Sequence, residues 1–170
     1  MGWLDPQREP KGQLVRIEGA GAPAGSPVGT PVIAHNGRGI GVAFADRAAP
    51  ADPWNVRLGF ALGTDVPKKT QGFVLPAGGP GGNALAPGLA GLSDGRWLLV
   101  WTEGSAAARQ EVRAQTLGRD MSPLGAPFVV SRPGTNAGQG AVALGGARGA
   151  VAFLEGKDPF ELWATSIDCR

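Results

Sequence analysis

The chain has 170 residues, with 29 glycines, 15 prolines and a formal net charge of +2. This length suffices for one domain with a hydrophobic core, and the dispersed basic residues disfavour nucleic-acid binding. The single cysteine, Cys169, excludes an internal disulfide. Residues 1–10 lack the apolar region of a signal peptide, and no apolar run is long enough to span a membrane.

Glycine and proline separate short apolar runs along the whole chain, which predicts an all-β fold with frequent turns. Residues 1–30 resemble the second part of a longer unit, with three predicted strands. Residues 31–83 form a complete unit with four predicted strands, at 31–34, 40–45, 55–62 and 71–75. The dipeptide Asn36-Gly37 is typical of a hairpin turn between the first two of these strands.

Residues 84–136 repeat this order, with predicted strands at 87–90, 97–101, 112–117 and 128–130. Residues 137–170 have three, at 141–144, 149–154 and 161–167. The run from Trp97 to Trp101 is continuously apolar, which is typical of a strand that is buried on both faces. The sequence thus predicts units of three, four, four and three strands.

A short pattern recurs once in each unit. An aromatic residue, one spacer and an acid end the second strand. An apolar residue stands on the third strand, followed by arginine in the first three units and by Trp163 in the last. We interpret the aromatic and acidic positions as structural: they are Trp3, Asp5, Phe44, Asp46, Trp101, Glu103, Phe153 and Glu155. The interval of about 50 residues indicates stacked or radially arranged units. The alternative is a β-sandwich whose hairpins look alike.

The repeat also predicts how the second and third strands pair. Aromatic side chains pack well on branched ones across a hairpin. We therefore expect Trp101 opposite Val112, Phe44 opposite Val56 and Phe153 opposite Leu162.

The pattern Gly95-x-Trp97-x-x-Val100-Trp101, with Val112-x-Ala114-Gln115-x-Leu117 and Pro123-Leu124-Gly125, resembles the four-stranded repeats of large bacterial secreted or surface proteins of β-propeller type. The resemblance covers nearly the whole chain. It implies one β-propeller-like domain over 1–170, with about four antiparallel blades. The first and last blades are incomplete, so we expect an open arc or a ring with a gap. The resemblance implies an extracellular or cell-envelope setting, and no activity.

The repeated acids invite comparison with the paired carboxylates of glycosidases. Each acid, however, stands at the same place in a different unit, whereas catalytic pairs lie about 5–10 Å apart. We therefore interpret them as strand-end carboxylates that bind loop amides or a nearby arginine. The segment 91–95 matches G-x-S-x-G, but a strand follows it instead of the required helix, so we interpret it as a turn.

Metal and cofactor motifs do not assemble in this sequence. His35 is the only histidine, which excludes the usual zinc sites. The glycine-rich segments lack the helix or the lysine that nucleotide-binding loops require. We expect neither a metal nor a cofactor.

Four residues are candidates for ligand contact: Trp54, Arg57, Arg113 and Trp163. Trp54 stands in a proline-containing loop, where an exposed ring can stack on a glycan or a protein; the alternative is that it folds back on its blade. The arginines either line a groove for an anionic ligand or pair with local acids. Trp163 replaces the arginine in the last unit, which argues against one shared ring of ligands.

These observations predict a non-catalytic module that binds a protein or a glycan. One alternative is a glycan-acting hydrolase or a lectin on a propeller, and another is a purely structural fragment of a longer repeat protein. We expect no nucleic-acid partner and no membrane span, and we expect self-association through open terminal blades.

Overall fold

The computed structural model describes residues 17, 28–63, 70–74, 82–105, 109–146, 148–156 and 158–168. These residues form strands and turns and no helix, which confirms the all-β prediction. The strands are β1 (Val32–His35), β2 (Gly39–Asp46), β3 (Asn55–Leu62), β4 (Thr70–Val74), β5 (Ala84–Gly91), β6 (Trp97–Gly104), β7 (Gln110–Leu117), β8 (Pro123–Val129), β9 (Ala137–Gly145), β10 (Arg148–Glu155) and β11 (Glu161–Asp168). Trp3, Asp5 and Cys169 lie outside the described residues.

The strands form three antiparallel sheets, each a simple meander. Their orders are β1-β2-β3-β4, β5-β6-β7-β8 and β9-β10-β11. We call these sheets blade 1, blade 2 and blade 3. The sheets do not close into a ring, and the described chain is an open, propeller-like arc.

Blade 2 is packed on both of its faces. Successive side chains of a strand point to opposite faces, and in β6 the residues Trp97, Leu99 and Trp101 pack with blade 1. Leu98 and Val100 belong to the core shared with blade 3. We call the face toward the preceding blade the leading face and the opposite one the trailing face. All of β6 is buried, which explains why its sequence is continuously apolar.

Small residues on the trailing face of blade 1 make room for the large rings of blade 2. A Cβ added to Gly41 would lie 2.8 Å from the Trp97 ring and 2.5 Å from the Met121 methyl group. On the facing side, a Cβ added to Gly91, which ends β5 of blade 2, would lie 2.4 Å from the His35 carbonyl oxygen of blade 1. Large side chains on one face and small ones on the other therefore bring neighbouring blades close together.

The predicted register of the hairpins is wrong by one residue in all three blades. Phe44 lies opposite Arg57, Trp101 opposite Arg113 and Phe153 opposite Trp163. A slip of one residue would move every side chain of the third strand to the other face. In the observed register Val112 faces the core shared with blade 3, and Arg113 reaches the carboxylates on the side of Trp101.

Three strands begin at least three residues earlier than the sequence predicts. The strand β8 begins at Pro123, in a segment predicted to be a turn, and β5 and β9 begin at Ala84 and Ala137. The pairing of β5 with β6 shifts between Leu85 and Gly88, next to Ala86, whose φ is +45°. Gln139 of β9 has a φ of +56°. Left-handed backbone positions are usually glycine, and neither of these residues is, so the sequence does not reveal them. The strand pairing continues beyond the irregularity.

Candidate functional site

In blades 1 and 2 the buried acid near the end of the second strand pairs with an arginine of the third strand. Arg57 Nε donates to Asp46 Oδ1 at 2.9 Å, and the Asp46 carboxylate is buried. In blade 2, Arg113 Nε lies 3.3 Å from Glu103 Oε1. Trp101 Nε1 donates to Glu103 Oε2 at 3.0 Å. Arg57 and Arg113 thus bind acids of their own blades.

Blade 3 departs from this pattern. Trp163 stands where the other blades have arginine, and the cation comes from the connector that precedes the blade. Arg132 donates to Glu155 Oε1 through Nε at 2.9 Å, and its Nη2 lies 2.8 Å from the same oxygen. The Arg132 guanidinium also stacks 4.0 Å from the centre of the Trp163 ring, and Trp163 Nε1 donates to Glu161 Oε2 at 3.1 Å.

A pocket of about 450 Å³ lies beside this arrangement, between blades 2 and 3. Its volume falls within the range of about 300–1,000 Å³ that is usual for small-molecule sites. Its polar lining comes from both blades: Arg109, Arg132, Thr135, Asn136, Glu155 and Glu161. Glu161 is exposed, and Arg109 is half-exposed, with its Nη2 4.0 Å from Glu111. Arg109, Arg132 and Glu161 are therefore the exposed charged groups of the pocket, and Arg132 is already bound to Glu155.

The ion pair of Arg132 fixes the charge of Glu155. The hydrogen bond from Arg132 lowers the pKa of this carboxyl below its ordinary value of 4.5, although burial opposes the shift. The second oxygen, Oε2, is buried and has no hydrogen-bond partner among the described residues. The nearby Thr135 hydroxyl donates to the Arg132 carbonyl oxygen at 2.7 Å. Glu155 is thus an ionised group that holds the Arg132 side chain over Trp163.

Each connector ends at an asparagine that forms hydrogen bonds to both of the blades that the connector joins. The Asn136 side-chain oxygen accepts from Gln110 N at 3.0 Å, and its backbone oxygen accepts from Gly156 N at 2.9 Å. Asn83 makes the equivalent pair of contacts, with Trp54 N at 2.9 Å and Gly104 N at 3.0 Å. Asn136 also lines a second cavity of about 240 Å³, whose apolar residues include Leu85, Leu154 and Phe160.

Trp54 lies in the loop between β2 and β3 of blade 1 and is half-buried. The Arg47 guanidinium stacks 4.7 Å from the centre of its ring, and a shallow pocket lined by Arg47, Trp54 and Asn83 lies beside it. The structure therefore does not bring the four predicted contact residues into one pocket. Trp54 and Trp163 each stack with an arginine on different blades.

None of the polar residues that line the pocket between blades 2 and 3 was among the predicted contacts; they include Arg109, Arg132 and Asn136. The sequence does contain a signal for one of them. Arg132 stands four residues before Asn136, and the position four residues before Asn83 is Gly79. Blade 3 thus has no arginine at the third-strand position where the other blades have one, but it has Arg132 in the connector that precedes it.

The described residues contain no group of three side chains that could hold a metal ion. His35 Nδ1 accepts a hydrogen bond from Gly37 N at 3.1 Å, which is a turn contact. Within the described ranges, no helix is long and apolar enough to cross a membrane.

No protein-family model matches this chain, and no curated protein matches it. Two solved structures are similar to it in fold. A thermostable family-43 glycoside hydrolase aligns over 80% of this chain and 49% of its own, with a TM-score of 0.54 and 10% identity. The family-43 endo-arabinanase from Bacillus licheniformis aligns over 81% of this chain and 50% of its own, with a TM-score of 0.51 and 13% identity.

Both of these enzymes are β-propellers, and the likeness confirms a propeller-type fold for this chain. The chain spans about half the length of each of them. At such low identity the likeness extends to the fold alone, because one fold supports many functions.

Proposed function

We propose that this domain is a non-catalytic, β-propeller-like module that binds a ligand or a protein at the pocket between blades 2 and 3. One observation carries the proposal: the pocket lies at the blade where Trp163 and Arg132 replace the usual third-strand arginine. A site that departs from a structural repeat is a better candidate for function than the positions that maintain it. The pocket also offers exposed groups of both charges, Arg109 and Glu161.

The state of the repeated acids supports a non-catalytic role. A general acid at neutral pH needs a raised pKa, whereas the pKa of Glu155 is lowered by Arg132. Asp46 and Glu103 are buried and bound by arginines of their own blades. These three carboxylates belong to three different blades, which agrees with structural roles.

A glycan-acting hydrolase is the second candidate, and one observation favours it. Glu155 and Glu161 lie directly opposite each other on β10 and β11, and both line the pocket. Opposite residues have Cβ atoms about 4.5–5.5 Å apart, and retaining glycosidases hold their carboxyl groups about 5–5.5 Å apart. Both similar structures are named as enzymes that act on glycans.

Binding and turnover measured on the same glycan panel distinguish the two candidates. We expect the purified chain to bind at least one probe without hydrolysing it. Arg109→Ala should weaken that binding about tenfold or more, because a hydrogen bond to a charged group contributes about 1.5–3 kcal/mol. Hydrolysis that disappears in Glu161→Gln would establish the enzyme instead. Binding that depends on Trp54 and not on Arg109 would move the site to the loop of blade 1.

We also propose an extracellular or cell-envelope setting, which rests on the resemblance of the repeat to secreted and surface proteins. Fractionation of the source cells, with an antibody against the purified chain, tests this proposal. Recovery in the cytoplasmic fraction alone would contradict it.

A further inference from the structure

The trailing face of blade 3 has no neighbour in the described structure. Its residues alternate with those that pack on blade 2. Arg148 and Asp168 lie opposite each other at one end of this face, and the rest of it is uncharged: Ala141, Ala143, Ala150, Ala152, Leu154, Leu162, Ala164 and Ser166. Leu162 is 76% exposed. This surface is distinct from the pocket, which lies on the other side of the blade.

The same positions in blades 1 and 2 are the ones that receive the next blade. In blade 1 they include Ala43, Val56 and Leu58, which are buried against the tryptophans of blade 2. In blade 2 they include Val100 and Val112, which are buried against Phe153 of blade 3. The trailing face of blade 3 thus continues an interface that the chain already forms twice.

We propose that the trailing face of blade 3 seats a further blade of the same type, which presents a large aromatic side chain and a strand-end carboxylate. The two existing interfaces define this occupant. In each of them a face of small and aliphatic side chains meets a face that carries Trp101 with Glu103, or Phe153 with Glu155. Five alanines on blade 3 leave the same room for large rings as Gly41 and Ala43 do on blade 1.

A second copy of this chain fits the surface poorly. In a head-to-tail pair the surface would receive the leading face of blade 1, but Val42 and Phe44 of that face are only 4% and 7% exposed. In a face-to-face pair, small side chains would meet small side chains and leave gaps, whereas stable interfaces are packed as densely as protein interiors. The occupant is therefore a blade with a free aromatic face.

A chain that carries its own additional blade tests the proposal. The extension begins after Asp168 with a copy of residues 118–136, which supply the fourth strand and connector of blade 2. It continues with a copy of residues 84–129. We expect the amides of β10 and the Leu162 region to exchange hydrogen at least tenfold more slowly in the extended chain. The midpoint of thermal unfolding should also be higher for the extended chain than for the original chain.

Matched variants separate specific packing from a general effect of the extension. Replacing the copied Trp101 by alanine should abolish most of the added protection, and so should Leu162→Lys in blade 3. Leu124→Lys, on the exposed strand β8 of blade 2, should leave the added protection unchanged. Unchanged exchange in the extended chain would overturn the proposal. So would a defined dimer of the original chain in which Leu162 becomes protected as concentration rises.

Discussion

At the scale of single residues, Asn36 connects two blades through its side chain. Its Nδ2 donates to the Gly95 carbonyl oxygen at 2.5 Å, while Oδ1 accepts from the backbone of Arg38 and Gly39. Asn36→Asp would keep the acceptor and place a second oxygen against the Gly95 carbonyl. We expect a loss of about 1–3 kcal/mol in the free energy of unfolding at neutral pH.

The pH dependence of the stability of Asn36→Asp tests whether repulsion between the two oxygens causes the loss. Protonation of the introduced carboxyl restores a donor toward the Gly95 oxygen. The difference from the wild type in urea melts should therefore shrink as the pH falls to about 4. A difference that stays constant with pH would assign the loss to packing, and Asn36→Ala supplies the packing reference.

Trp101 is the second residue with a clear expected cost. It is 1% exposed, lies in the core between blades 1 and 2, and donates to Glu103. Trp101→Ala should cost about 3–5 kcal/mol because it leaves a large cavity. Glu103→Ala should cost less, about 1.5–3 kcal/mol, because it removes hydrogen bonds to a charged group but leaves a smaller cavity. Denaturant melts in the reverse order would make the carboxylate the main determinant of this core.

At the scale of elements, blade 3 takes the arginine that binds its acid from the connector and has Trp163 at the third-strand position that is arginine in the other blades. If Arg132 replaces the third-strand arginine, Trp163→Arg should make Arg132 dispensable. Arg132→Ala should destabilise the wild-type background and have a much smaller effect in the Trp163→Arg background. A four-protein cycle of denaturant melts measures this coupling. Equal effects in both backgrounds would mean that the two arginines serve different partners.

The pH dependence of the Arg132→Ala variant has a definite sign. The folded-state pKa of Glu155 is lowered by Arg132, so the pair stabilises the folded state above the unfolded pKa. That stabilisation is lost as the pH falls through the folded value. The gap in stability between the wild type and Arg132→Ala should be widest near neutral pH and close in acid. A gap that widens in acid would contradict the assignment.

The close approach of blades 1 and 2 gives another prediction at this scale. A Cβ at position 91 would collide with the backbone of His35 and Asn36, whereas one at Gly145 would meet nothing within 4 Å. Gly91→Ala should therefore cost about 1–3 kcal/mol through overpacking, and Gly145→Ala should be near neutral. Thermal melts of the pair provide the comparison. Equal stability of the two variants would show that the blades separate easily.

Residue patterns predicted the strands better than their pairing. The apolar run from Trp97 to Trp101 predicted both the strand β6 and its burial on two faces. The one-residue error in register arose because aromatic and apolar residues were assumed to be cross-strand partners. In the structure, Arg113 shares the face of Trp101 and Glu103, and its side chain binds the acids there.

The pocket could not be predicted from any one segment. Arg132 belongs to a connector and Trp163 to a strand 31 residues later, and their contact depends on how two blades pack. The sequence offers only one sign: Arg132 stands four residues before Asn136, whereas Gly79 stands four residues before Asn83. This difference becomes informative only once the blades are aligned.

At the scale of the whole molecule, the described residues form an open arc in which the trailing face of blade 3 has no neighbouring blade. Its alanines are too small to fill an interface with a second copy, so we expect loose, concentration-dependent association and no dimer of fixed stoichiometry. Sedimentation at tens of micromolar should show a broad, rising mass. Leu162→Lys should reduce this association, because it places a charge at the most exposed large apolar side chain of this surface, whereas Val129→Lys on blade 2 should not. A monodisperse wild-type monomer with a single cooperative melt would mean that another part of the chain covers this face in solution.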